Sequence, residues 1–144
     1  MFAANPHPLN ADRPTTPEGH LLLIIEDERS LLRAFAHAFE RLGYTVLTAA
    51  DVPSALEHWR AHGDEISMLI SDVQMPGPPV EQLIREVRLS ETRVPILLMS
   101  GELRGSEERI RDLMQSVDGF LSKPLRIDAL RVEVERQLRT LPPR

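Results

Sequence analysis

Short apolar runs alternate along this chain with stretches in which apolar residues recur at three and four positions. The runs are Leu21 to Ile25, Tyr44 to Ala49, Ile66 to Ile70, Pro95 to Met99 and Gly119 to Ser122, each of strand length and too short for a buried helix. After the first run, Leu32, Phe35, Phe39 and Leu42 fall on one side of a helix, with Arg33, His37, Glu40 and Arg41 elsewhere, and Gly43 supplies a stop. Asp51 is placed to cap a second helix whose apolar side holds Ala55, Leu56 and Trp59, with Pro53 tolerated in its first turn. Val80, Leu83, Ile84 and Val87 predict a third helix. Ile110, Leu113, Met114 and Val117 predict a fourth, capped by Ser106, with Glu107 and Glu108 favourably set against its dipole. Leu130, Val134 and Leu138 mark a fifth.

Five strands alternating with five helices predict an α/β fold with a parallel sheet, right-handed crossovers and helices on both faces. Four of the runs end in polar residues suited to phosphoryl chemistry: Glu26 and Asp27, Ser71 and Asp72, Ser100, and Lys123. Only the second ends without one, since Ala49 and Ala50 precede Asp51. That strand belongs at an edge, and the doubly wound, flavodoxin-like order 2-1-3-4-5 puts it there while setting the first and third strands side by side. Neighbouring strands lie about 4.8 Å apart, so acids from two adjacent tips are within reach of one cation.

Composition narrows the function. The 144 residues suit one domain, expected over 20–140. Residues 1–19 hold four prolines among mostly polar neighbours and are expected to form a flexible tail; Leu141, Pro142, Pro143 and Arg144 end the last helix as a short C-terminal tail. There is no cysteine, which excludes disulfides and thiolate metal sites. Without a secretory leader or a membrane-length apolar run, a soluble cytoplasmic protein is expected. With 17 Lys and Arg against 22 Asp and Glu, the formal charge is −5. No basic cluster supports direct nucleic-acid binding, and the acidity suits a site that collects a cation.

The set Glu26-Asp27, Ser71-Asp72-Val73-Gln74-Met75-Pro76-Gly77, Met99-Ser100-Gly101 and Lys123-Pro124 resembles the receiver domain of two-component response regulators, in family order and over about Leu21 to Leu138. The resemblance implies that Asp72 accepts a phosphoryl group from the phosphohistidine of a sensor histidine kinase or histidine phosphotransfer protein, a case of carboxylate nucleophilic catalysis. It implies magnesium, with manganese as a substitute, held by Glu26, Asp27, Asp72 and the backbone carbonyl of Gln74. A hard cation would relieve the repulsion among three carboxylates. Ser100 and Lys123 are implied to bind the phosphoryl oxygens, Ser100 and Phe120 to carry a conformational switch, and Gln74 and Glu102 to tune dephosphorylation. Phe120 lacks the hydroxyl of the tyrosine often found there, so its switch would rest on packing. Glu26 stands where many receivers have Asp, and Pro78-Pro79 replaces the usual continuation after Gly77, so the third helix is expected to start differently.

Two other classes fit the residues less well. A magnesium-dependent phosphohydrolase with an aspartyl intermediate places its nucleophile after the first strand with a second Asp two residues on, an order that Glu26-Asp27-Glu28 lacks. A receiver-like interaction module without phosphorylation would not need the complete site. His58 and His62 are spaced to share a metal on the second helix but lack a third ligand nearby. His7 and His20 sit in or beside the tail, and His37 on a polar helical face. No output segment follows Leu141, so a signal is expected to pass to an unknown downstream protein. A homodimer through the fourth and fifth helices, with Arg111, Asp112, Arg131 and Glu133 available for ion pairs, is implied by the family.

Overall fold

A computed structural model describes residues 17–101 and 107–140. Its elements run β1 Leu21–Ile25, α1 Arg29–Arg41, β2 Thr45–Ala49, α2 Val52–His62, β3 Ile66–Asp72, α3 Val80–Leu89, β4 Ile96–Ser100, α4 Glu107–Ser116, β5 Gly119–Ser122 and α5 Ile127–Thr140. All strand pairings are parallel, and the order is β2-β1-β3-β4-β5, as expected from the strand tips.

Two cores follow from the period-2 alternation of a sheet covered on both faces. From β1, Leu22 and Ile24 face Phe35 and Phe39 of α1 and Leu130, Val134 and Leu138 of α5. Leu23 and Ile25 point the other way, toward Ala55 and Trp59 of α2, Leu83 and Val87 of α3 and Leu113 of α4. All seven residues of β3 are buried, as expected of a strand in mid-sheet with helices above and below.

Helix ends obey local chemistry. Asp51 accepts a hydrogen bond from the Ser54 N–H at 2.8 Å, the N-cap that the sequence predicts. At the end of α1, Gly43 adopts φ 107°, its N–H donates to Glu40 O and the Tyr44 N–H donates to Phe39 O. Those two bonds form a Schellman motif that needs the left-handed glycine. Its accompanying apolar contact is Phe39 against Tyr44, ring centroids 5.6 Å apart. Tyr44 therefore belongs to the α1 terminus, and β2 begins one residue later than the apolar run implied. Pro79 caps α3 without a side-chain bond; helix entry after the Pro78-Pro79 pair rests on the extended backbone a proline favours and on burial of Val80. The Ser106 cap expected for α4 lies outside the described residues.

His20, the first residue after the expected tail, is 3% exposed, and its Nδ1 lies 3.0 Å from Ser67 Oγ. The β1–β3 register slips at that point, Leu21 pairing with Ile66 and Leu22 with Met68. Ser67 is thus the extra residue of a bulge, and its hydroxyl accepts from the Leu21 N–H at 3.3 Å, so the irregular backbone keeps a partner.

Candidate functional site

Register decides which strand tips meet. Ile25 pairs with Ser71, Asp72 with Met99, and Ser100 with Ser122. Glu26 therefore leaves β1 level with Asp72 at the end of β3, Ser100 follows one step further along the same edge, and Lys123 one step beyond that. The backbone joins continue past the strands: the Glu26 N–H donates to Ala49 O at 3.0 Å, that of Val73 to Met99 O at 2.9 Å, and that of Lys123 to Ser100 O at 2.7 Å.

Glu26, Asp27 and Asp72 each offer a carboxylate oxygen, and the three lie within 4.8 Å of one another. Glu26 and Asp72 are buried, 1% and 5% exposed, whereas Asp27 is exposed. Glu26 is fixed through both oxygens, one accepting from the Glu28 N–H at 3.1 Å and the other from Lys123 Nζ at 2.7 Å. Asp72 accepts from the Gln74 N–H at 3.1 Å through Oδ1 and from Lys123 Nζ at 3.0 Å through Oδ2. Lys123 reaches both acids from the last strand, and the Lys123–Pro124 peptide that follows is cis.

Burial pushes the Glu26 carboxyl above its ordinary value and the negative charge of Asp72 adds to the rise, against the lowering effect of the bonds from Lys123 and the Glu28 N–H. Burial alone would depress the Lys123 ammonium, but its bonds to Glu26 and Asp72 and their charges outweigh that and raise it. The lysine is therefore held as a cation between two acids. Three carboxylates and one ammonium carry a formal charge of −2, and every donor is oxygen. This is the donor set of a hard divalent cation, not of a soft one.

The Ser100 hydroxyl is buried and has no hydrogen-bond partner among the described residues. An orphaned hydroxyl at a sheet tip costs desolvation, which an acceptor arriving at the site would relieve. Gly101 follows it, and among the described residues a Cβ there would meet the Gln74 side-chain oxygen at 3.7 Å, an ordinary contact. Gln74 is exposed, and Phe120 is half-buried against the core beneath α4.

Glu26, Asp27, Asp72, Ser100 and Lys123 thus occupy one edge, with Gln74 beside them; Glu102 lies outside the described residues. Phe120 is set back along β5, paired with Leu98. His58 and His62 have separate employment, His58 Nε2 lying 3.0 Å from Thr48 O and His62 Nδ1 3.1 Å from Glu65 Oε1. Sequence reasoning missed the Glu26–Lys123 bond, which joins residues 97 positions apart and leaves no local signal.

The family model described as "Response regulator receiver domain" matches residues 22–135. The PetR protein of Rhodobacter capsulatus is 34% identical over 127 residues, 85% of this chain and 50% of that protein. The sensor kinase CckA of Brucella abortus is 31% identical over 118 residues, 81% of this chain and 12% of that protein. The chain thus spans half or less of the length of these curated relatives. Among solved structures, the receiver domain of the hybrid histidine kinase CckA superposes with TM-score 0.68 at 32% identity, covering 82% of this chain and 98% of the other. The non-phosphorylated HemR receiver domain of Leptospira biflexa superposes with TM-score 0.75 at 21% identity, covering 87% and 98%.

Proposed function

This chain belongs to the family of response regulator receiver domains, and from that premise we propose that Asp72 is the phosphoacceptor of a two-component pathway, charged by a histidine kinase or phosphotransfer protein and read by a downstream partner. The observation that carries this reading is the Asp72 carboxylate itself. It is nearly buried at a strand tip, bonded by Lys123 Nζ at 3.0 Å, and grouped with Glu26 and Asp27 within 4.8 Å.

An Asp72 oxygen would attack the phosphorus of a phosphohistidine; the P–N bond breaks and the imidazole departs with its electron pair. The Gln74 N–H holds Asp72 Oδ1 and so limits the carboxylate's rotation, an orienting role. Lys123 is positioned to follow negative charge as it spreads onto the phosphoryl oxygens, and the Ser100 hydroxyl is free to donate to one of them. Glu26, Asp27 and Asp72, with the Gln74 carbonyl, would hold magnesium, whose charge offsets that of the acids and the phosphoryl group when bound. Gln74 and Glu102 are assigned to tuning hydrolysis of the product, and Phe120 with Ser100 to the response.

Incubation with magnesium and acetyl phosphate or phosphoramidate should add one phosphoryl group, read by intact mass, and Asp72→Asn should abolish the gain. A wild-type chain that gains nothing would be an interaction module instead; many turnovers of an unrelated phosphate ester would make it a hydrolase.

A further inference from the structure

We propose that Asp118, at the foot of β5, is a register pin that places Lys123 at the far end of the same strand, and is thereby a positioning residue for phosphorylation. The consequence for phosphorylation rests on the reading of Asp72 as phosphoacceptor; the placement of Lys123 does not.

β5 needs such a pin because burial does little to fix it. β3 and β4 are buried throughout, whereas β5 is four residues long, lies at the sheet edge and has no fully buried residue. It nonetheless delivers the cation of the site, since Lys123 follows Ser122 directly and bonds Glu26 at 2.7 Å and Asp72 at 3.0 Å. A slip of one residue against β4 would turn each side chain of the strand to the opposite face and carry Lys123 about 3.3 Å from its place. Backbone ladder bonds do not forbid the slip, because every residue offers the same ones.

Asp118 supplies what the backbone lacks. Its N–H donates to Ile96 O at 3.0 Å, and its carboxylate accepts the Ile96 N–H at 2.8 Å, so a single residue meets the start of β4 twice. No other position from Val117 to Ser122 carries a carboxylate, which makes that double contact specific to one register. Arg88 of α3 fixes the carboxylate in turn: its Nη2 donates to Asp118 Oδ2 at 2.8 Å and its Nη1 to Val94 O at 2.8 Å, a charge-assisted tie to the segment that leads into β4. From the other face of the sheet Gln137 of α5, 6% exposed, donates to Asp118 O at 2.8 Å. The next residue is equally confined, since a Cβ on Gly119 would run into Leu97 and stand 3.1 Å from Glu133 Oε2. N–H, carbonyl and carboxylate of Asp118 are thus all engaged, by β4, α5 and α3. Lys123 lies five residues on, about 16 Å along an extended strand, so Asp118 acts on it through the strand and not by contact.

Lys123 is the only lysine in the chain, so lysine isotope-labelled at Cε gives one side-chain NMR resonance that reports the site alone. In the whole chain without magnesium, Asp118→Ala should move that resonance toward the position of free lysine, while Asp118→Asn, which keeps an oxygen for the Ile96 N–H, should hold it near the wild-type position. A resonance unmoved in Asp118→Ala, or moved as far in Asp118→Asn, overturns the pin. If Asp118→Ala does not fold, Gln137→Leu takes its place, with a smaller shift in the same direction expected and an unmoved resonance overturning the proposal. Phe39→Leu is the control for lost stability: it loosens α1 at the opposite edge of the sheet and should lower the urea midpoint with the lysine resonance unmoved; an equal displacement there also overturns the pin. With magnesium and phosphoramidate, the initial rate of phosphoryl gain in Asp118→Ala should fall roughly ten- to a hundredfold, the scale of a misplacement of about 1 Å, and recover in Asp118→Asn. A displaced resonance with an unchanged rate overturns the role in phosphorylation. A wild-type chain that gains no phosphoryl group overturns Asp72 as acceptor instead, and the magnesium-free resonance then judges the placement of Lys123 by itself.

Discussion

Lys123 is the residue on which the resting site balances. Its ammonium lies between Glu26 at 2.7 Å and Asp72 at 3.0 Å, two carboxylates that water scarcely reaches. Replacing it by methionine keeps the aliphatic stem but strands the acids, and leaving a buried acceptor unsatisfied costs about 1–3 kcal/mol. Lys123→Met should therefore unfold at lower urea concentration in metal-free buffer, with an unchanged denaturant slope. At this scale Glu26, Asp27, Asp72, Ser100 and Lys123, each following an apolar run, were enough to expect one shared crevice, because parallel strands bring such tips to one edge. They did not announce that Lys123 would bond Glu26 more closely than Asp72. The glutamate that stands where many receivers have Asp reaches the lysine.

Among the elements, α4 stands apart, held as much by polar ties as by burial. The carboxyl of Glu81 is kept below its ordinary value by the bonds from Arg109 and by that residue's charge, against the raising effect of partial burial. A depressed carboxyl stabilises the fold fully above its unfolded value, near 4.5, and the contribution fades as pH falls through the lower folded value. Wild type should thus melt above Arg109→Gln near neutrality, and the two midpoints should converge as the solution is acidified well below pH 4.5. Both side chains are more than a third exposed, so the gap is expected to be small and to shrink in high salt. The helix was legible in the spacing of Ile110, Leu113 and Val117; its ties were not, since Arg88 and Arg109 look like any other exposed arginines until α3 is laid beside α4.

Across the whole molecule, the sheet brings three acids and one lysine together with a formal charge of −2. A ligand that binds only the folded state stabilises it by mass action, by about 2.7 kcal/mol at a hundredfold excess over its Kd. Magnesium should accordingly raise the melting temperature in a concentration-dependent way, and Asp27→Asn, at the exposed acid, should flatten that titration. Potassium at matched ionic strength should not reproduce the rise.

The alternation of short apolar runs with helical spacing determined the α/β class, because a doubly covered parallel sheet buries its inner strands and its helices on one side only. The lone second run without a chemical tip favoured an edge position and, with it, the strand order 2-1-3-4-5 that the sheet has. What only the tertiary structure decided is register and reach: that Ile25 stands opposite Ser71, that Lys123 spans two acids, that Ser67 forms a bulge beside His20, and that Arg109 of α4 meets Glu81 of α3. Periodicity is a local property of the chain and can be read from it. Contacts between residues dozens of positions apart depend on how whole elements settle against each other, and no short stretch of sequence carries that information.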